Sequence, residues 1–101
     1  MKIDFDAIDW EVSPLGSRIK AVEIDDRKIR LVELRKADGD AEWCETGHIG
    51  FVVEGDLNIE FDDKSLNFKK GDAIYIRSGE SNRHKPHALT GNVLLFLTEE
   101  I

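Results

Sequence analysis

The chain has 101 residues, of which 41% are hydrophobic and 35% charged, a composition typical of one folded globular domain and not of a disordered or fibrous protein. Its formal net charge of −7 repels phosphate backbones and anionic lipids, so we expect neither nucleic acid nor membranes as partners. Cys44 is the single cysteine, and no apolar run has the length of a signal peptide or a membrane span. We therefore expect a cytoplasmic protein.

Residues 1–16 are interpreted as an apolar arm that precedes the first long strand. Such an arm packs either on its own domain or on a partner chain. Its apolar residues recur at alternating positions in two short bursts: Ile3 and Phe5, then Ile8, Trp10 and Val12.

Residues 17–24 and 28–36 are two runs rich in β-formers, and Asp25, Asp26 and Arg27 separate them. Two such runs around a short polar break predict a β-hairpin.

Short segments of four to nine residues, divided by Gly and Asp clusters, continue to the end of the chain. Leu57, Ile59 and Phe61 alternate with polar residues, which predicts a strand with one face on a core. Residues 92–98 are apolar throughout their centre and predict a strand covered on both faces, with a short buried helix as the alternative. Regularly spaced short strands indicate an all-β sandwich or barrel.

Three residues able to bind a metal precede one of the predicted strands: Glu42, Cys44 and His48. Side chains alternate across a strand, so Glu42 shares a face with Cys44, and Gly50 shares a face with His48. A bend at residues 46–47 lets both faces converge on one pocket. The missing side chain at Gly50 either leaves room for a ligand or allows tight sheet packing.

A second group of polar side chains lies further along the chain. Residues 73–77 predict a strand on which Tyr75 and Arg77 share a face. They either offer a hydroxyl and an anion-binding guanidinium to the pocket mouth or form a surface pair. Asn82 and His84 share a face of a further predicted strand and are both candidates to point inward.

The stretches HIGFVVEGDLNIEF (48–61) and FKKGDAIYIRSGESNRH (68–84) resemble the two motifs of the cupin superfamily. Gly55 closes the first motif, and Gly71 and Gly79 lie eight positions apart in the second, as in the family. The resemblance covers residues 40–98. It implies an all-β, single-domain jelly-roll β-barrel, also called a double-stranded β-helix, that holds a metal between the two motifs.

The ligand positions differ from the family pattern. Where the family has His, His and Glu, this chain has Glu42, Cys44 and His48, and Asn82 stands where a later His is expected. His84 lies two residues beyond that position. The resemblance therefore implies an altered divalent-metal site made of Cys44, His48 and His84, with Zn, Fe, Mn or Ni as candidate ions.

Each ligand candidate has a structural alternative. His48 is otherwise an interior histidine held by hydrogen bonds, Cys44 a small buried hydrophobe, and His84 a solvent-facing residue between two cationic neighbours. A structural zinc site that adds His87 to the three is a further alternative.

Three functions compete for this pocket. The first is a binding module that holds a small polar or anionic molecule in the barrel without turnover. The second is a metal-dependent cupin enzyme of the isomerase, dioxygenase or decarboxylase class that uses Cys44, His48 and His84. The third is metal-independent acid–base catalysis by His48 with Glu42. The ligand-binding candidates are Gly50, Tyr75, Arg77 and Asn82.

We expect one domain over residues 1–101, with the arm over 1–16 and the barrel over 17–98. A chain of this size buries only a modest core, and the arm and the apolar strand offer further apolar surface. A homodimer is therefore expected.

Overall fold

The computed structural model describes residues 1–12, 17–36 and 42–101. Over these ranges the chain is all-β, with two single-turn 3₁₀ helices at Phe5–Ala7 and Glu80–Asn82. The strands are β1 (Glu11–Val12), β2 (Arg18–Ile24), β3 (Arg27–Arg35), β4 (His48–Glu54), β5 (Asp56–Phe61), β6 (Ser65–Lys69), β7 (Ala73–Ile76), β8 (His84–Ala88) and β9 (Asn92–Glu100).

The strands form two antiparallel sheets. The larger has six strands in the order β1-β2-β3-β9-β4-β7, and the smaller has three in the order β6-β5-β8. Both sheets contribute to one hydrophobic core: Val52 and Val93 of the larger sheet and Leu57 of the smaller are fully buried. The core therefore lies between the sheets, and inward-facing residues of either sheet can meet there.

The predicted hairpin is confirmed as β2 and β3, which pair from Arg18 opposite Glu33 to Ile24 opposite Arg27. The turn is shorter than predicted because Arg27 already belongs to β3. Asp25 takes a left-handed conformation with φ of 55°, which aspartate tolerates better than most residues because its short side chain can bond locally.

The apolar strand near the C-terminus is confirmed as β9, and the helical alternative is wrong. β9 lies between β3 and β4 and pairs with both, so its backbone polar groups are satisfied within the sheet. Val93, Leu95 and Leu97 point into the core, while Phe96 on the opposite face is partly buried.

The described part of the N-terminal arm packs on its own domain. The ring of Phe5 meets the ring of Phe96 edge-on, with centroids 6.4 Å apart. Nζ of Lys20 donates a hydrogen bond of 2.7 Å to the carbonyl oxygen of Phe5, and the Trp10 ring lies 4.5 Å from the guanidinium of Arg18. These contacts cover part of the outer face of the larger sheet.

Among the helices of the described ranges, none is long and apolar enough to cross a membrane.

Candidate metal centre

Cys44, His48 and His84 meet in the core at one end of the two sheets. Each offers a ligand atom, and the three atoms lie within 4.8 Å of one another. Sγ of Cys44 is 3.8 Å from Nε2 of His48, and the two imidazole rings are 5.1 Å apart at their centroids. His48 is 8% exposed and His84 is 3% exposed. The three candidate ligands therefore form one cluster, which we call the Cys-His-His cluster, in which both histidines are buried and Cys44 is half-buried.

Different elements place each member of this cluster. His48 begins β4 in the six-stranded sheet, and His84 begins β8 in the three-stranded sheet. Cys44 forms an isolated antiparallel bridge with His84, in which their backbone N–H and C=O groups exchange hydrogen bonds of 2.9 and 3.0 Å. The cluster therefore spans the junction between the two sheets.

Two charged residues that the sequence analysis did not single out hold His48. Nδ1 of His48 lies 3.2 Å from Oε2 of Glu99 and 3.4 Å from Nη2 of Arg30. Arg30 Nε in turn lies 2.9 Å from Oε1 of Glu99. The two groups form an ion pair, but Nε does not donate a hydrogen bond. Because a carboxylate only accepts and its contact is the shorter, we assign the proton of His48 to Nδ1. The lone pair of Nε2 then faces Cys44.

The pKa of His48 is lowered from its usual 6.5 to about 4, chiefly by burial and in addition by the positive charge of Arg30 and the neighbouring His84. Glu99 acts in the opposite direction, but its charge is shared with Arg30. The imidazole of His48 is consequently neutral at pH 7, which is the form that binds metal ions.

His84 carries an unpartnered nitrogen. Its Nδ1 lies 3.0 Å from the carbonyl oxygen of Asn82, so Nδ1 carries the proton and donates to that oxygen. Nε2 is buried and has no hydrogen-bond partner among the described residues. A buried polar atom without a partner is costly, and native structures rarely contain one without a reason. Here the atom belongs to an imidazole whose ligand nitrogen lies within 4.8 Å of a thiol sulfur and of a nitrogen of a second imidazole.

This donor set fits a divalent metal ion. One thiolate and two imidazole nitrogens are ligands that suit Zn, Fe and Ni better than Mn, which prefers oxygen donors. Three protein ligands also leave a coordination position open for an exogenous donor, as in catalytic zinc sites.

A cavity of about 230 Å³ adjoins the cluster. All three members line it, together with Glu42, Arg30 and mostly aliphatic side chains. Glu42 is exposed, so it lies where the cavity reaches the surface. A small molecule inside the cavity would therefore be in reach of the cluster.

Gly50 faces the backbone of β9 instead of a ligand space. A Cβ atom at this position would overlap the carbonyl oxygen of Phe96, and Gly50 does not line the cavity. The structure therefore shows tight sheet packing at Gly50 and not room for a ligand.

Tyr75, Arg77 and Asn82 also lie away from the cavity. Tyr75 is 67% exposed, and Tyr75 and Arg77 line a shallow surface cleft that borders His48 and Glu99 from the other side. Asn82 belongs to the 3₁₀ turn and not to the predicted strand, and it lines a different cleft. Its carbonyl oxygen is the group that reaches His84.

Two alternatives for the histidines are wrong. His84 is almost fully buried and does not face solvent. His87 lies three residues further along β8, so its side chain leaves the opposite face of the strand. Its Nε2 contacts Oε1 of Glu60 at 3.0 Å, and the four-ligand zinc site is not formed.

Arg30 and Glu99 carry a pattern that sequence reasoning could have used. Arg30 shares its face of β3 with Val32, and Glu99 shares its face of β9 with Leu97. Charged residues on the inward face of an otherwise apolar strand indicate a buried, paired role.

No family model matches the sequence, and no curated protein matches it. Several solved structures share its fold. A cupin-2 domain containing protein from Shewanella frigidimarina is 26% identical, with 82% of this chain and 79% of that chain covered and a TM-score of 0.67.

KdgF from Halomonas sp. is 21% identical, with 94% of this chain and 89% of that chain covered and a TM-score of 0.79. The Fe(II) form of HppE is 14% identical, with 98% of this chain and 59% of that chain covered and a TM-score of 0.78. The two glycine-framed motifs, the paired antiparallel sheets and these likenesses place the chain in the cupin superfamily.

Proposed function

We propose that this protein is a small cupin that holds a divalent metal ion at Cys44, His48 and His84 and binds a small polar or anionic molecule beside it. The observation that carries the proposal is the buried, unpartnered Nε2 of His84, in a residue whose ligand atom lies within 4.8 Å of those of Cys44 and His48. A bound ion would satisfy this atom. HppE, which has a similar fold, has been solved in an Fe(II) form, so a metal ion is compatible with this fold.

The same site could also make the protein a metal-dependent enzyme of the isomerase, dioxygenase or decarboxylase class. A divalent ion would supply Lewis-acid polarisation of a substrate oxygen. The chain's own residues would keep His48 neutral and oriented through Glu99, exclude water with the apolar wall, and exchange protons with solvent through Glu42 at the cavity opening.

Acid–base catalysis by His48 without a metal has less support. Its Nδ1 is engaged by Glu99 and its Nε2 faces the sulfur of Cys44. Its pKa of about 4 also makes it a weak base at neutral pH.

We further propose that the two facing sheets close into a jelly-roll barrel, with one domain made of an arm over 1–16 and a barrel over 17–98. A homodimer in the cytoplasm is proposed as its working form. Ile49 and Phe51, which remain 52% and 44% exposed on the outer face of β4, would be covered in such a dimer. Light scattering at micromolar concentration tests this, and a monomer's mass alone would contradict it.

The metal proposal is tested by elemental analysis of untagged protein purified without chelator. We expect about one ion of Zn, Fe or Ni per chain in the wild type and loss of the ion in His84→Ala. The matched control is His87→Ala, which removes a histidine from the same strand but outside the cluster. Circular dichroism establishes that both variants are folded. Folded wild-type protein that remains metal-free after incubation with each of these ions would contradict the proposal.

A further inference from the structure

We infer that the cavity beside the Cys-His-His cluster takes a small monoanion with an aliphatic or single-ring body, and that it discriminates against sugar-like polyols. This inference rests on the proposed metal site, because the ion would anchor the anionic end of the ligand. The cavity wall would then select the shape and polarity of the rest of the ligand.

Away from the Cys-His-His cluster, the wall of the cavity is mostly aliphatic. Strands β3, β5, β7 and β9 each present inward aliphatic side chains there, and β3, β5 and β9 are paired with a neighbouring strand on both sides. A polyol in this space would lose its hydrogen bonds to water and find few replacements. The aliphatic part of the wall consists of Val32, Leu34, Leu57, Ile59, Ile74, Ile76, Leu95 and Leu97.

The size of the cavity limits the body of the ligand. Its volume is about 230 Å³, whereas an apolar cavity of about 150 Å³ accepts benzene. One ring with a short side chain, or a branched chain of comparable size, therefore fits inside. Two fused rings exceed the space unless the wall is enlarged.

Besides the three cluster members, the polar side chains that line the cavity are Ser17, Arg30 and Glu42. Arg30 is already paired with Glu99, so it offers no free charge to the ligand. A divalent ion and the thiolate of Cys44 together leave one positive charge, which one anionic group neutralises. Glu42 at the opening would repel a second negative charge on the ligand. These charges favour a monoanion over a dianion.

The experiment titrates zinc-loaded protein with a series of acids by calorimetry: acetate, isovalerate, phenylacetate, 1-naphthylacetate and gluconate. We expect affinity to rise about fourfold for each methylene group that becomes buried, to be highest for isovalerate or phenylacetate, and to fall for naphthylacetate. Gluconate should bind no better than acetate. Gluconate binding as tightly as phenylacetate, or equal affinity across the series, would overturn the inference.

Two variants locate the binding site. Val32→Ala enlarges the cavity, and we expect it to raise the affinity for naphthylacetate relative to phenylacetate at least threefold. Val52→Ala is the matched control, because Val52 is fully buried in the core but does not line the cavity; its affinity ratio should equal that of the wild type. An equal ratio in both variants would overturn the inference, and the acid series on the wild type decides the matter if Val32→Ala does not fold.

The metal content of each sample separates this inference from the proposed function. Metal-loaded protein without the size dependence overturns the inference alone. Protein that never binds metal but shows the same size dependence overturns the metal proposal and retains the apolar cavity as a binding site. Protein with neither property overturns both.

Discussion

Nδ1 of His48 and Oε2 of Glu99 lie 3.2 Å apart, and both side chains are 9% exposed. A carboxylate behind a metal-binding histidine sets the tautomer and orientation of the ring and raises the basicity of the ligating nitrogen. Arg30 holds the other oxygen of Glu99, so the carboxylate is itself fixed. This arrangement is why Glu99 is expected to matter although it touches neither the cavity ligand nor the ion.

Glu99→Ala is expected to weaken metal binding about 10- to 100-fold. Competition with a chromophoric chelator measures the affinity. Glu99→Gln should recover part of the loss, since its amide oxygen can still accept from Nδ1–H. The control is Glu100→Ala, which removes a carboxylate that is 79% exposed and should leave the affinity unchanged. Equal affinities in wild type and Glu99→Ala would show that the contact has no role in metal binding.

Cys44→Ser tests the sulfur ligand by spectroscopy. The cobalt-loaded wild type should show the intense near-ultraviolet absorption of a cobalt–thiolate bond, because a thiolate is one of the three proposed ligands. The variant should lose this band while the weaker visible bands of bound cobalt remain. A band of undiminished intensity in Cys44→Ser would remove Cys44 from the ligand set.

The lowered pKa of His48 predicts a pH dependence of stability in the metal-free protein. Between pH 6.5 and about 4 the unfolded chain binds a proton at His48 that the folded chain does not. The contribution of this residue is therefore complete above pH 6.5 and is lost as the pH falls towards 4. Urea unfolding at a series of pH values measures the effect. His48→Gln should show a shallower loss of stability over this interval, and an unchanged slope would argue against the lowered pKa.

Gly50→Ala is expected to destabilise the fold by about 1–3 kcal/mol, because the new methyl group would overlap the carbonyl oxygen of Phe96. Urea unfolding measures the difference in free energy. Gly91→Ala provides the comparison, since a Cβ there meets nothing within 4 Å, and it should be close to neutral. Similar stabilities for both variants would refute the tight packing at Gly50.

Much of the fold was predictable because its signals are local. The two runs around Asp25 and Asp26 predicted the hairpin, and the alternation of Leu57 and Ile59 predicted the inward face of β5. The same alternation, with the family resemblance, singled out Cys44 and His48, which lie on neighbouring segments of the chain.

The remaining features depend on pairing that alternation alone does not specify. Glu99 reaches Arg30 and His48 only because β9 pairs with both β3 and β4 in the observed register. Asn82 is misplaced in the sequence-based prediction because a 3₁₀ turn delays the start of β8 until His84.

The Cys-His-His cluster joins parts of the chain that the hydrogen-bonded ladders keep separate. His48 belongs to the six-stranded sheet, His84 to the three-stranded sheet, and Cys44 to the segment bridged to β8. An ion shared by these residues would bridge the two sheets in the folded protein, and because the three ligands come together only on folding, its binding free energy would add to the free energy of unfolding. Metal binding would then strengthen the attachment between the two sheets as well as supply the chemistry of the cavity.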